Sequence, residues 1–263
     1  MSEELFNRRL RVLRRDRAAR VGPELFLLDR AFDDCFDRLA DIARPFSKAL
    51  IVGCPSPDWP AKLKFVAQTV DVVDPGELFA KQAGGLRIDE DRHDFGEQRY
   101  DLCVAIGTLD TVNELPLALH LLHRSLRPDG LLIGAIAGGD SLSSLRAALI
   151  EAERAGGRIV ARTHPRISAP SLAQLLTAAG FQMPVVDIDR VRLRYRDLHS
   201  LIRDLRAMAA TSALAERRPF LSRDTARRAD QAFRALGKDG RTEEYIEILH
   251  FLGWAQQSRE AAS

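Results

Sequence analysis

Three carboxylates and two small-residue turns hold the residue types that could recognise a nucleoside. Asp74 closes the run Thr69-Val70-Asp71-Val72-Val73, and Asp89 and Glu90 follow the short run Leu86-Arg87-Ile88. Gly53-Cys54 ends Lys48-Ala49-Leu50-Ile51-Val52, and Gly107-Thr108 ends the run 100–106. A carboxylate at the carboxyl end of a second parallel strand accepts both hydroxyls of a ribose. One at the end of the third accepts the amino group of an adenine, and glycine lets the backbone approach the ligand closely. Each feature has a plainer reading. Asp74 can cap a helix over 77–81, and Asp89-Glu90-Asp91 can be a solvated loop.

The first turn is unusual for such a site. After Gly53 and Cys54 it places Pro55 and Pro57, which lack an amide hydrogen and have a fixed φ. Cys54 could act as a nucleophile, but no partner histidine is placed by sequence, and a buried inert thiol is the simpler expectation. His120 and His123 lie three residues apart on a predicted helix, with no third ligand evident, so no metal site is expected.

The elements that must position these residues alternate. The runs at 49–52, 69–74, 86–88, 100–106 and 131–137 read as parallel strands. Helices are expected after Trp59, over 77–81, 113–126 and 141–155, and Pro128-Asp129-Gly130 reads as a turn. A helix at 169–179 precedes the period-two stretch 184–196. There Val191, Leu193 and Tyr195 face one side and Arg190, Arg192, Arg194 and Arg196 the other, either protecting a sheet edge or forming an anion-binding patch. Helices at 198–209 and 224–236 separate it from a last strand at 245–254. Before the sheet, Leu5, Phe6, Leu10 and Leu13 recur at helical spacing amid Arg8, Arg9, Arg11, Arg14, Arg15, Arg17 and Arg20. This predicts an amphipathic helix packed on the sheet edge with solvated arginines, or a basic surface for an acidic partner or an anionic cofactor group. A second helix is expected over 24–42. The resulting division is a helical arm (1–44), a Rossmann-like core (45–196), a helical cover (197–241) and a closing strand with tail (242–263). The fold class is α/β: a doubly wound, mostly parallel seven-stranded sheet with N-terminal helices and a helical insertion before the last strand.

The 263 residues are 46% hydrophobic and 29% charged, with a net charge of +2. That composition is globular and argues against a general nucleic-acid binder. No apolar run approaches the roughly 18 residues of a membrane span, and the amino terminus lacks an apolar leader core. Three scattered cysteines fit a reducing compartment, and the Arg- and Ala-rich usage suggests a bacterial cytoplasm.

The chain resembles the class I S-adenosylmethionine-dependent methyltransferases. It is more closely similar to the methyltransferase-like assembly factors of respiratory complex I and their bacterial relatives, and more distantly to the malonyl-carrier methyltransferase of biotin synthesis. The residues that carry this are Arg14 to Ala19, Val112-Asn113-Glu114-Leu115-Pro116, Leu126 to Gly130, Gly138-Gly139-Asp140-Ser141-Leu142 with Leu145-Arg146, Ala179-Gly180-Phe181, Val191 to Asp197, Leu205-Arg206-Ala207-Met208 and Gly253-Trp254. The resemblance implies S-adenosylmethionine as cofactor, with Asp74 on the ribose, Asp89 or Glu90 on the adenine side, and Gly53, Cys54, Gly107 and Thr108 along the same edge. It names no catalytic residue, and some relatives hydroxylate an arginine of a complex I subunit. The departures fall on the cofactor loop. The family's acid is Ile51, two of its glycines are Pro55 and Pro57, and a His-Trp pair is Asp110-Thr111. The expectation is a methyltransferase-like protein with weakened or lost cofactor binding. The alternative is a non-catalytic assembly protein that meets a partner, such as a respiratory-complex subunit, through the basic arm or the Arg190, Arg192, Arg194 and Arg196 face.

Overall fold

The computed structural model describes residues 4–42, 44–154, 157, 160, 162–216 and 219–256. Two helices, α1 (Arg8–Val21) and α2 (Phe26–Ile42), lead into β1 (Phe46–Val52), α3 (Trp59–Leu63), β2 (Ala67–Asp74), α4 (Glu77–Gln82) and β3 (Leu86–Arg87). Then come β4 (Tyr100–Ile106), a short 3-10 turn (Leu109–Thr111), α5 (Leu115–Ser125), β5 (Leu126–Ala137), α6 (Ser143–Arg154) and α7 (Ala169–Ala178). The chain closes with β6 (Gln182–Tyr195), α8 (Leu198–Ala207), α9 (Arg223–Ala235) and β7 (Thr242–Trp254).

The strands form one seven-stranded sheet in the order β3-β2-β1-β4-β5-β7-β6. β1 to β5 are parallel, and β7 runs antiparallel to both β5 and β6. The buried strands alternate between two cores. Ala49, Ile51, Leu102, Val104 and Ile133 pack with Phe32, Leu145, Leu201 and Phe233 on one face. Leu50, Val52, Cys103, Ala105 and Leu132 pack with Leu119, Leu122, Leu172 and Leu176 on the other. Helices on both faces explain why these strands are apolar at every position. The order reverses between β1 and β4, so a crevice opens beyond their carboxyl ends, where ligands of such sheets bind.

Two expectations are corrected. Pro128-Asp129-Gly130 does not separate a helix from a strand. It lies inside β5, where the pairing register with β4 shifts and Asp129 takes a φ of 62°, a bulge that leaves the strand continuous. Arg44 holds the bulge, donating to the Asp129 carboxylate and carbonyl, each at 2.6 Å. The second correction concerns α1. Leu13 is 49% exposed, whereas Arg11 and Arg15 are each only 5% exposed. The helix presents its basic face to the protein, for the reason given below. Among the described residues no helix is long and apolar enough to cross a membrane.

Candidate functional site

Asp74 sits at the end of β2 with no exposed surface. Its Oδ1 accepts from Arg15 Nε at 2.7 Å and from the Gly76 amide at 2.6 Å; its Oδ2 accepts from Arg15 Nη2 at 2.5 Å and from the Cys54 amide at 2.8 Å. An ionised carboxylate offers about four acceptor directions, and all of Asp74's are used within the chain. Arg15 also lies over the Phe79 ring, 5.0 Å from its centroid. Gly76 makes this approach possible, because a Cβ there would lie 2.7 Å from Arg15 Cβ.

Glu90 is likewise fully buried. Arg11 forks onto it through Nη1 (2.6 Å) and Nη2 (2.8 Å). Arg11 also donates from Nη2 to the Thr108 carbonyl at 2.6 Å and from Nε to Thr111 Oγ1 at 3.0 Å. Burial alone would raise the Glu90 carboxyl, but the Arg11 charge and its hydrogen bonds outweigh it and hold Glu90 below its ordinary range. Asp91, 3% exposed, takes a third fork from Arg8, at 2.6 and 2.8 Å, and accepts from the Glu114 amide at 3.1 Å. Its carboxyl is also held low, with the Arg8 hydrogen bonds and charge overcoming burial. The solvated-loop expectation for these two acids is therefore overturned. Asp89 stands apart, paired with Arg87 at 3.1 Å.

These pairs explain the inverted α1. Arg8, Arg11 and Arg15 follow i, i+3, i+7 spacing, which places them on one face of a helix. Buried carboxylates need paired, hydrogen-bonded cations, and that demand outweighs the burial of Leu13. The spacing of the arginines is readable in the sequence. Their match to three strand-end acids is not, because the partners lie 59 to 83 residues away.

The glycine turns are where they were expected. Gly53 has a φ of 81°, and a Cβ there would run into the Ile106 carbonyl of the neighbouring strand. Gly107 has a φ of 67°. Cys54 is buried, donates from Sγ to the Ser56 carbonyl at 3.2 Å, and its thiol is pushed up to about 12, chiefly by burial. Such a thiol is a poor nucleophile at neutral pH. Pro55 is buried and Pro57 exposed, and Ile51 lies in the core with no exposed surface. His123 packs edge-on against Phe181, and among the described residues no cluster of His, Cys, Asp and Glu could hold a metal.

Beside these pairs a cavity of about 120 Å³ opens between α1, α2, the ends of β4 and β5, and α8. Its wall is largely aliphatic, including Leu27, Leu28, Leu142, Met208 and Ile248, and its polar lining includes Arg14, Asp110, Thr111 and Arg166.

The family described as methyltransferase domain matches residues 27–184. The mitochondrial arginine-hydroxylase NDUFAF5 of Mus musculus is 30% identical over 98% of this chain and 79% of its own. Its Danio rerio counterpart is 32% identical over 86% and 74%. The malonyl-[acyl-carrier protein] O-methyltransferase of Laribacter hongkongensis is 30% identical over 69% and 60%. Among solved structures, a methyltransferase candidate from Bacillus halodurans superposes with a TM-score of 0.59 at 12% identity, covering 84% of this chain and 99% of that one; at this identity the likeness concerns the fold alone. The expectation of a bacterial cytoplasmic location is overturned, since the animal relatives that cover most of the chain are mitochondrial proteins.

Proposed function

This chain belongs to the methyltransferase-domain family of class I S-adenosylmethionine-dependent methyltransferases, and from that premise we propose that it is a non-catalytic member, a pseudo-methyltransferase acting through interaction. The observation that carries the reading is the filled acceptor set of Asp74. In the arrangement described, Arg15 and two loop amides occupy every direction that a ribose would use. Arg11 forks onto both oxygens of the buried Glu90 on the adenine side, so the residues do not fit the cofactor. Admitting a nucleoside would require withdrawing Arg15 from a buried carboxylate. Breaking such a pair costs about 3–5 kcal/mol, equal to two to three or more powers of ten in affinity. The missing acid at Ile51 and the prolines at 55 and 57 act in the same direction. Gly53, Cys54, Asp74, Glu90, Gly107 and Thr108 then keep the edge of a cofactor site without its capacity. Asp89, bound to Arg87, lies outside it.

The resemblance to complex I assembly factors supports a protein partner, with a respiratory-complex subunit the first to examine. Three arginines of the basic arm face inward while Arg9 and Arg20 stay exposed, so the larger basic surface available to it is the Arg190, Arg192, Arg194 and Arg196 face. A second reading, an active enzyme using S-adenosylmethionine, draws on relatives named as a hydroxylase and a methyltransferase. Calorimetry with S-adenosylmethionine and S-adenosylhomocysteine to millimolar concentration separates the two. We expect no binding heat. Micromolar binding of either compound would overturn the pseudo-methyltransferase reading.

A further inference from the structure

The cavity beside the filled acids is lined by two arginines, Arg14 and Arg166, that form no close ion pair among the described residues. The Nε of each is buried without a hydrogen-bond partner. Among the described residues no carboxylate pairs with Arg14. Its guanidinium is held below its ordinary range by burial and by the like charge of Arg206. Arg166 donates from Nη1 to the Ser141 carbonyl at 3.3 Å. It feels the charge of Asp110 but forms no close ion pair with it. Both side chains are partly buried, and buried donors are ordinarily hydrogen-bonded. Two unbonded Nε donors at one cavity, neither guanidinium closely ion-paired, point to an anion that comes from outside the chain.

We propose that this cavity is a binding site for a small organic monoanion, a carboxylate with an apolar body, gripped between Arg14 and Arg166. The charges of the lining select a monoanion. Arg11 and Arg15, which also line the cavity, are already neutralised by Glu90 and Asp74, so among the lining groups Arg14 and Arg166 against Asp110 leave one net positive charge; Arg206, which acts on Arg14, stands outside the lining. A guanidinium fork matches a carboxylate in plane and spacing. The remaining wall selects the body, since Leu27, Leu28, Leu142, Met208, Ile246 and Ile248 offer it only apolar surface. The volume of about 120 Å³ compares with the dry apolar cavity of about 150 Å³ that holds benzene, so one aromatic ring or a short alkyl chain is the scale of the ligand. A cationic ligand of the same size is disfavoured by the same charges. The cavity adjoins the cofactor edge at Arg11, Arg15 and Gly107, but neither Arg14 nor Arg166 bonds Asp74 or Glu90.

The test uses compounds of one shape and different charge. Benzoate, benzamide and benzamidine are titrated into the full chain by calorimetry, with phenyl phosphate as a dianionic arm. Benzoate should bind about tenfold or more tightly than benzamide, as one charge-assisted contact predicts, and benzamidine should bind least. Arg14→Leu with Arg166→Leu should abolish the preference for benzoate over benzamide. Because neither arginine forms an ion pair with a carboxylate among the described residues, this variant should melt close to the parent. Arg14→Lys, which keeps the charge and loses the fork, should retain part of the preference. Equal binding of benzoate and benzamide, a preference that survives the double substitution, or no benzoate binding overturns the proposal. Phenyl phosphate binding more than about tenfold tighter than benzoate overturns the assignment to a monoanion.

Discussion

Arg14 and Arg15 are chain neighbours with opposite fates. One step along a helix turns a side chain by about 100°, which carries Arg15 onto Asp74 and Arg14 to the cavity wall. Arg15→Ala strands a carboxylate with no exposed surface and should cost about 3–5 kcal/mol of unfolding free energy. Arg14→Ala removes a cation with no acidic partner among the described residues, so stability should stay within about 0.5 kcal/mol of the parent or rise. Urea denaturation of both variants at neutral pH checks this, and equal losses would mean that the two arginines do not differ as their surroundings require. Cys54 shows the same dependence on surroundings. Its place in the key loop suggests reactivity, yet burial and the nearby Asp74 charge keep it a thiol.

At the scale of elements, α1 is a latch held mainly by charge. Arg8, Arg11 and Arg15 reach Asp91, Glu90 and Asp74 across the ends of β2 and β3, and Asp16 accepts from the Leu78 amide at 3.0 Å, tying α1 to α4. The pH dependence follows from the acids. The folded Glu90 and Asp91 carboxyls lie below their unfolded values, which are about 4.3 and 3.9. A depressed folded value adds stability that is complete above the unfolded value and is lost as pH falls through the folded one. These two acids should therefore add nothing to the pH slope above about pH 5 and should lower unfolding free energy below about pH 4. Urea titrations over this range, with Glu90→Gln beside the parent, provide the check. The variant should start less stable and show a shallower acid limb, and an unchanged limb would remove Glu90 from the account. The loop after β1 is bound to the same latch, because the Cys54 amide is one of Asp74's donors.

For the whole molecule, the long edge strand β6 is the exposed flank of the sheet. Met183, Val185 and Ile188 are open to solvent there, and an edge of this length invites pairing with another chain. Arg190 reaches the exposed Asp140 and the buried Glu247, each at 3.4 Å, and Arg192 approaches Glu243 at 3.7 Å; the arginine ends are exposed to solvent, so these pairs contribute little stability. In the free protein they keep the edge solvated and charged. Replacing Arg190, Arg192, Arg194 and Arg196 by threonine should leave unfolding free energy almost unchanged, within about 0.5 kcal/mol per site. It should raise the concentration-dependent association seen by light scattering. A variant that stays as monodisperse as the parent would show that the row does not protect this edge.

Residue order by itself determined the sheet. The continuous apolar runs at Leu50 and Val104, the period-two stretch at Val191 and the glycines at 53 and 107 are local signals, and a strand buried on both faces has no alternative pattern to adopt. It also determined which acids stand at strand ends, because Asp74 and Glu90 close or follow those runs. What only the tertiary structure decided is what those acids bind. Burial makes a carboxylate's demand for a cation strong enough to turn α1 over, bringing Arg11 and Arg15 in and leaving Leu13 outside. That demand exists only once β2 and β3 lie under the helix. A periodicity that weighs leucine against arginine residue by residue carries no trace of a charge dozens of positions away. The same folding brought Arg14 and Arg166 to one cavity without a close ion pair for either among the described residues, a meeting that neither residue's neighbours in the chain foretell.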